Sequence, residues 1–218
     1  MLHVLRTVLN ASILCVVLFL AGNAHGQFVV NTTNDTPDNN PGDGVCADAG
    51  GNCSLRAAVM ESNATAGNNT ISLPTGNYVF TLAGANENVA ATGDLDISDN
   101  LVITGADTRL TVIKADSLDR VFDIMPGVTV TIEFLEIWQG SVYAGNGGAI
   151  QNKGNLTLSE LAIKTSMCEG DNGGLQGGGL GGAIYTSGSL ELSQVTIHSC
   201  KALGGKGSNG VSPGGGSG

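Results

Sequence analysis

The sequence predicts an all-β protein, a solenoid of short strands with one capping α-helix at its N-terminal end. Three observations support this fold class. Glycine supplies 34 of the 218 residues and aromatic residues only 4%, as expected for many tight turns. The second half contains an internal repeat. One helical pattern, starting at Ser54, directly follows a pair of cysteines.

Two segments of the repeat align without gaps, GGAIQNKGNLTLSELAI from Gly147 and GGAIYTSGSLELSQVTI from Gly181, 34 residues apart. A degenerate copy lies 26 residues before the first. In that copy Ile124 takes the place of Ile150 and Ile184, so these three isoleucines are predicted to stack. The aliphatic positions that follow in the three copies are Val130, Ile132, Leu135 and Ile137; Leu156, Leu158, Leu161 and Ile163; and Leu190, Leu192, Val195 and Ile197.

Each copy is predicted to form one coil of the solenoid. Alternation at Leu156 and Leu158 puts both side chains on one face of a strand, and the extra residue before Leu161 marks a corner. The longer 34-residue step places eight additional residues in the glycine-rich stretch 169–182. A single coil buries too little apolar surface to offset its conformational entropy, so neighbouring coils must stack.

Earlier segments are predicted to form less regular coils, and the stretch 83–92 between them is predicted to be a loop. The inward positions of these coils are Ile71, Leu73, Tyr78, Phe80, Leu82, Leu95, Ile97, Leu101, Ile103 and either Val112 or Ile113. The domain organisation is then a signal peptide at 1–26, an N-terminal cap at 27–69, and solenoid coils at 70–218 that are truncated at the C-terminus.

Export is predicted from the first 26 residues, which combine Arg6, a short apolar run and a small-x-small cleavage site. The apolar run is too short to span a bilayer, and no other segment is a transmembrane candidate. The net charge of −10 argues against nucleic acid as a partner. Secretion permits disulfides among the four cysteines outside the signal peptide.

The N-terminal cap is predicted to cover the exposed edge and apolar interior of the first coil. Ser54 is a good N-cap residue; Leu55, Ala58, Val59 and Ser62 recur at helical spacing, and Asn63 and Gly67 end the helix. A disulfide between Cys46 and Cys53 would fix the leading edge of this cap.

The cap sequence Cys-x6-Cys-Ser-Leu-Arg-Ala-Ala, preceded by VNTTNDTPDNNPGDGVC and followed by TISLPTGNYVFTL, resembles the CSLREA domain. This resemblance covers about residues 28–137 and implies a right-handed parallel β-helix of the pectin-lyase-like type in an exported protein. Ala57 stands in place of the glutamate of that motif. The Gly-Gly-Ala-Ile segments resemble half of the repeat of polymorphic outer-membrane proteins, whose companion Phe-x-x-Asn is absent here.

Catalytic motifs of β-helix enzymes are mostly missing from the sequence. A galacturonan hydrolase would show Gly-His-Gly and Arg-x-Lys, whereas His198 is predicted to be an outward strand residue. Two aspartate groups are candidate sites: Asp94, Asp96 and Asp99, and Asp116, Asp119 and Asp123 beside Arg120. Asp94 and Asp96 share a strand face and are the metal candidates, with Ca²⁺ as the ion; solvated turn carboxylates are the alternative.

Two further pairs of residues keep alternatives open. Cys168 and Cys200 form either a disulfide across stacked coils or two separate thiols, since the repeat puts Cys200 opposite Ser166. Trp138 and Tyr143 lie near a glycine turn and could either stack on a sugar or pack the turn.

The expected function is that of a non-enzymatic, exported surface or extracellular protein, adhesin-like or structural, with polysaccharide or a neighbouring cell surface as its partner. Outer-membrane association is implied by the resemblance. The alternative is a β-helix polysaccharide lyase or hydrolase whose catalytic coils lie beyond Gly218 or in the aspartate groups. Neither hypothesis requires an organic cofactor.

Overall fold

The computed structural model describes residues 25–84, 87–170 and 179–204. This part of the chain contains one helix, α1 (Leu55–Ala64), so the strand-rich class with a single N-terminal helix is confirmed. The predicted signal peptide lies almost wholly outside these residues. The strands are β1 (Gln27–Val29), β2 (Asn69–Leu73), β3 (Gly76–Val79), β4 (Leu95–Ile97), β5 (Leu101–Gly105), β6 (Thr111–Lys114), β7 (Phe122–Ile124), β8 (Thr129–Glu133), β9 (Glu136–Trp138), β10 (Ser141–Tyr143), β11 (Ile150–Asn152), β12 (Asn155–Lys164), β13 (Met167–Glu169), β14 (Ile184–Thr186), β15 (Ser189–His198) and β16 (Lys201–Leu203).

The strands pair in parallel and form three sheets. The four-stranded sheet has the order β14-β11-β7-β4, and the three-stranded sheet the order β10-β13-β16. In the nine-stranded sheet, β1, β2, β5 and β8 form one row and β3, β6 and β9 a second row; β12 joins the two rows and pairs with β15. The chain thus runs from β11 through β12 to β13, one strand in each sheet, and repeats this order in β14, β15 and β16.

The register follows the sequence repeat along β12. Leu156 pairs with Val130 on one side and Leu190 on the other, and Ile163 pairs with Ile137 and Ile197. These pairings confirm the 26- and 34-residue steps for this strand.

The predicted stacking of Ile150 is half correct. Ile150 pairs with Ile184 as expected, but its other partner is Phe122, and Ile124 lies beside Asn152 instead. The prediction was wrong by two positions because the turn between β7 and β8 contains four residues, 125–128, whereas the turn between β11 and β12 contains two.

The predicted corner lies at Glu160. The φ angle of Glu160 is 47°, in the left-handed region. Glu160 has no register partner in β15, whereas Ser159 and Leu161 on either side of it do. Phe134 and Gln194 have the same conformation at the equivalent positions. Gly105 packs against the Phe134 corner so closely that a Cβ atom would lie 2.2 Å from the Phe134 carbonyl oxygen, which explains why glycine is required there.

The core is a continuous cluster of inward side chains contributed by α1 and by strands of the nine-stranded and four-stranded sheets. Ile113 is completely buried in the core cluster and pairs with Tyr78 and Ile137, so it takes the inward position, whereas Val112 is 8% exposed and lies outside that cluster. In the last described strands, Leu192 and Ile197 are each 48% exposed. The other buried inward positions that the sequence predicted are Ile71, Leu73, Phe80, Leu95, Ile97, Leu101 and Ile103.

Helix α1 packs its apolar face on one end of this core. The Ser54 side chain accepts a hydrogen bond from the Ala57 N–H at 3.0 Å, which confirms the N-cap. The helix includes Asn63 and ends at Ala64, where the Thr65 N–H closes the last turn on the Glu61 and Ser62 carbonyls. Leu55, Ala58 and Val59 belong to the core cluster.

Two features near the helix complete this end of the fold. Cys46 and Cys53 form the predicted disulfide. Strand β1, which the sequence analysis did not predict, pairs in parallel with β2 and buries Phe28. Among the described residues no helix is long and apolar enough to cross a membrane.

Candidate functional site

Three aspartates converge on the outer face of the four-stranded sheet. In β4, Leu95 and Ile97 point into the core, so Asp96 between them and Asp94 directly before the strand point outward. In β7, Phe122 and Ile124 point inward and Asp123 points outward. Asp96 and Asp123 are register partners. One carboxylate oxygen from each of the three aspartates lies within 4.8 Å of the others.

These carboxylates border a pocket of about 420 Å³, which we call the acidic cleft. Its polar lining consists of Glu87, Asn88, Asp94, Asp119, Arg120, Asp123 and Gln151 together with Tyr143. Asp96 lies behind this lining and is 1% exposed, because the segment 87–93 covers it and the Ala90 N–H donates to its carboxylate at 3.2 Å.

The structure combines members of the two aspartate groups that the sequence kept apart. Asp94 and Asp96 join Asp123 rather than Asp99, whose carboxylate accepts hydrogen bonds from the Gly67 and Asn100 N–H groups. From the second group, Asp119 and Asp123 lie beside Arg120 as expected. Asp116 is an exposed turn residue with φ of 50° and forms no ion pair with any described residue.

Arg120 is the central cation of the acidic cleft. Its Nη1 lies 3.3 Å from Asp123 Oδ2 and donates to Gln151 Oε1. Its Nε lies 3.3 Å from Asp94 Oδ2 without the alignment of a hydrogen bond, and 3.9 Å from Asp119 Oδ1. Lys153 adds a second cation, with Nζ 2.9 Å from Asp123 Oδ2.

Burial changes the acidity of the cleft. Desolvation, followed by repulsion from Asp119, raises the pKa of Asp94 to about 8, although Arg120 opposes this rise. Desolvation also raises the pKa of Asp96 to about 7, and it raises the pKa of Asp119. The cleft therefore holds protons at neutral pH that isolated aspartates would release.

The three carboxylates could hold either protons or a hard cation such as Ca²⁺, which prefers oxygen ligands. Asp123 Oδ1 is buried and accepts no hydrogen bond from the described residues, so one acceptor remains for either. Its other oxygen, Oδ2, already contacts both Arg120 and Lys153. These two cations lower the affinity that a metal ion would have for the cluster.

Arg56 of helix α1 positions the wall of the cleft, and sequence reasoning missed this role. The buried guanidinium donates to the Ala90 carbonyl at 2.9 Å and to the Gly93 carbonyl at 2.8 Å, directly before Asp94. Its ion-pair partner is Asp35. The signal in the sequence was an arginine in an otherwise apolar run, between Leu55 and the segment 57–60, since a cation buried there requires an anionic partner and several acceptors.

The remaining candidate residues lie outside the acidic cleft or at its rim. Cys168 and Cys200 are separate thiols in the structure: Cys168 Sγ contacts the Gly145 carbonyl oxygen at 3.0 Å, and Cys200 Sγ the Ile163 carbonyl oxygen at 3.8 Å. His198 is exposed on β15. Tyr143 is 57% exposed at the rim of the cleft.

Trp138 lies on a different face of the molecule, between two lysines. The Nζ atoms of Lys114 and Lys164 are each 5.2 Å from the centre of its ring. Neither of the two roles considered from the sequence, stacking on a sugar or packing of a turn, includes these lysines.

The comparisons with known proteins indicate no function for this chain, so its function is inferred from the geometry of the site. No family model matches the sequence, and the curated proteins and solved structures likewise contain no match to it.

Proposed function

We propose that the chain is a non-enzymatic, exported protein of the cell surface or extracellular space, adhesin-like or structural, which binds polysaccharide through the acidic cleft. In this proposal the three sheets are the faces of a right-handed parallel β-helix, and α1 with the Cys46–Cys53 loop is its N-terminal cap.

The β-helix interpretation is supported by the order in which the chain visits the sheets. Residues 26 and 34 positions apart pair in parallel along β12, and their inward side chains contact one another in one core. Stacked coils of this kind leave long outer faces available for ligands. The cap interpretation is supported by Leu55 and Val59, which pack on the same core as β2 and β4.

Polysaccharide binding is supported mainly by the convergence of Asp94, Asp123 and Arg120 on one open pocket. Carboxylates accept hydrogen bonds from sugar hydroxyls, and a guanidinium donates to them. Tyr143 at the rim offers an exposed aromatic ring on which a sugar could stack. The cleft combines these groups as ligand pockets commonly do.

Binding without catalysis fits the state of the carboxylates. A glycosidase needs two carboxyl groups that are free to act on the substrate. Here Asp96 is almost completely covered, and Asp123 Oδ2 contacts both Arg120 and Lys153. Of the three carboxyl groups, that of Asp94 is the most accessible to a ligand, since Asp96 is covered and Asp123 contacts two cations.

A glycan panel tests this proposal. The full chain is titrated with neutral and acidic polysaccharides, and the same panel is repeated with the Asp94→Asn/Asp123→Asn variant. We expect at least one neutral polysaccharide to bind and the double variant to weaken it about tenfold, because each substitution replaces one acceptor oxygen with an NH2 donor. The outcome that contradicts the proposal is equal binding of the neutral polysaccharides by both proteins, or binding of none of them.

A polysaccharide lyase or hydrolase is the second candidate, because of the raised pKa of Asp94. A carboxyl group with a pKa of about 8 suits a general acid, and it lies within 4.8 Å of Asp96 and Asp123 with Arg120 and Lys153 beside them. Incubation of the full chain with acidic polysaccharides, with and without Ca²⁺, distinguishes this candidate. Release of oligosaccharides that is abolished by Asp94→Asn would replace binding with catalysis.

A further inference from the structure

Four outward residues lie side by side across the second row of the nine-stranded sheet: Lys114, Trp138, Lys164 and His198. We call them the Lys–Trp stripe. The register pairs Lys114 with Trp138, Trp138 with Lys164, and Lys164 with His198. The preceding residues Ile113, Ile137 and Ile163 point into the core, so alternation directs the stripe toward solvent.

The stripe has a regular spacing. Parallel strands lie about 4.8 Å apart, so its four residues extend over about 14 Å. A ligand that follows the stripe must therefore be a linear polymer or a chain of several units, because a single small molecule reaches only one or two of these positions.

The charged groups of the stripe are held in place before a ligand binds. Lys114 Nζ and Lys164 Nζ lie on Trp138, each 5.2 Å from the ring centre. Glu136 accepts from Trp138 Nε1 at 2.8 Å and from Lys164 Nζ at 2.6 Å. This arrangement reduces the conformational entropy that binding would otherwise cost.

The stripe carries a positive charge that the rest of the structure does not neutralise. Glu136 compensates Lys164, but no carboxylate among the described residues lies within ion-pair distance of Lys114. Most other described cations differ in this respect: Arg56 is buried with Asp35, and Arg120 and Lys153 contact aspartates in the acidic cleft. Arg109 and Lys201 also lack an ion pair among the described residues, but of these three cations only Lys114 lies on an aromatic ring.

We propose that the Lys–Trp stripe binds a linear acidic polysaccharide, with carboxylate groups on Lys114 and Lys164 and a sugar ring against the half-buried side chain of Trp138. The ligand class follows from these two kinds of group, since ammonium groups bind anions and an indole contacts the apolar face of a sugar. Nucleic acid fits less well, because its dense phosphate charge is repelled by the acidic remainder of the chain. This inference rests on the proposed function only in that the partner is a polysaccharide; the site and the charge of the ligand are different.

Trp138 is the single tryptophan of the sequence, so its fluorescence reports directly on the stripe. The full chain is titrated with alginate, with neutral dextran and with duplex DNA, in the presence of a chelator that removes divalent cations. We expect a saturable change of Trp138 emission with alginate, none with dextran, and weaker binding of DNA than of alginate.

Matched variants separate the contribution of the stripe to alginate binding from the contribution of the net charge of the chain. Lys114→Gln/Lys164→Gln should weaken alginate binding about tenfold. The control variant, Arg109→Gln/Lys201→Gln, removes two exposed cations elsewhere and should change binding less than about twofold. Lys114→Arg/Lys164→Arg keeps the charges and should keep binding, and the thermal midpoint of each variant verifies that it is folded.

Three outcomes would overturn the inference: an unchanged Trp138 emission with alginate, equal losses in the glutamine and control variants, or DNA binding as tight as alginate binding. Failure of the proposed function is distinguished by the Asp94→Asn/Asp123→Asn variant. That variant loses neutral polysaccharide if the acidic cleft binds it, but retains the alginate response of Trp138 if the stripe is an independent site.

Discussion

Arg56 Nε lies 2.6 Å from Asp35 Oδ1, and the two side chains are 0% and 3% exposed. Asp35 Oδ2 also accepts hydrogen bonds from the backbone N–H groups of Thr81 and Leu82, at 2.7 and 3.0 Å. The pair therefore connects helix α1 both to the segment that follows β3 and, through the Ala90 and Gly93 carbonyls, to the wall of the acidic cleft.

Replacement of this arginine should be strongly destabilising. Arg56→Met keeps most of the volume but leaves the Asp35 carboxylate buried with no cation and two carbonyl groups with no donor. We expect a loss of about 3–5 kcal/mol in the free energy of unfolding, as is usual when one member of a buried ion pair is removed. Urea denaturation measures it.

Arg109→Met provides the control for Arg56→Met, because Arg109 is exposed and forms no ion pair with any described residue. Its substitution should change the free energy of unfolding by less than about 0.5 kcal/mol. Similar losses in the two variants would show that the buried network contributes little.

Ile163 and Ile197 occupy the same position of the repeat and are register partners, but they differ in burial. Ile163 is completely buried, whereas Ile197 is 48% exposed. Ile163→Ala should cost about 2–5 kcal/mol, the sum of lost transfer free energy and a cavity, and Ile197→Ala less than about 1.5 kcal/mol. Urea denaturation of both variants makes this comparison, and equal costs would contradict stacked burial as the source of stability.

The aliphatic positions of this fold were predictable because alternation along a strand depends on local sequence. The identity of the inward residues in β12, the N-cap at Ser54 and the corner before Leu161 all follow from patterns of a few residues. The pairing of Ile150 with Ile184 also followed, since the two segments align without gaps.

The acidic cleft could be predicted only in part, since its assembly depends on turn lengths. Asp123 lies beside Asp96 because β7 follows β4 by 27 residues, a step that neither the 26- nor the 34-residue repeat gives. The misplacement of Ile124 has the same origin in a turn two residues longer. The contacts of Arg56 with Ala90 and Gly93 span more than thirty residues and follow no periodicity.

Gly105 should tolerate no side chain. A Cβ atom would lie 2.2 Å from the Phe134 carbonyl oxygen and 3.0 Å from Leu135 Cβ, and neither group can move without shifting the corner between β8 and β9. Gly105→Ala should therefore destabilise the chain by about 1–3 kcal/mol, the usual range for overpacking. Gly204→Ala is the control, since a Cβ atom there meets no atom within 4 Å. Thermal unfolding compares the two variants, and an equal midpoint would contradict close packing at the corner.

The stability of the chain should fall as pH rises from about 4 to about 8. Asp94 has a pKa of about 8 in the folded protein against 3.8 as its ordinary value, and Asp96 changes in the same direction, to about 7. Between these limits the folded state binds more protons than the unfolded state, so unfolding becomes easier as the pH increases. Below about pH 4 both the folded and the unfolded state are protonated at these groups, so the two aspartates no longer make stability depend on pH.

Asp94→Asn removes the group with the largest rise in pKa and should flatten this profile. The variant gains stability relative to the parent as pH approaches 8, because the unfolded parent is favoured by release of the Asp94 proton and asparagine has no such proton, although the lost contact with Arg120 reduces the gain. Asp116→Asn, at an exposed turn, should leave the slope unchanged. Urea denaturation at several pH values between about 4 and 9 measures both slopes. If Asp94→Asn shifts stability by the same amount at every pH, protonation of Asp94 does not stabilise the fold, and burial of the cleft is less complete in solution than its contacts indicate.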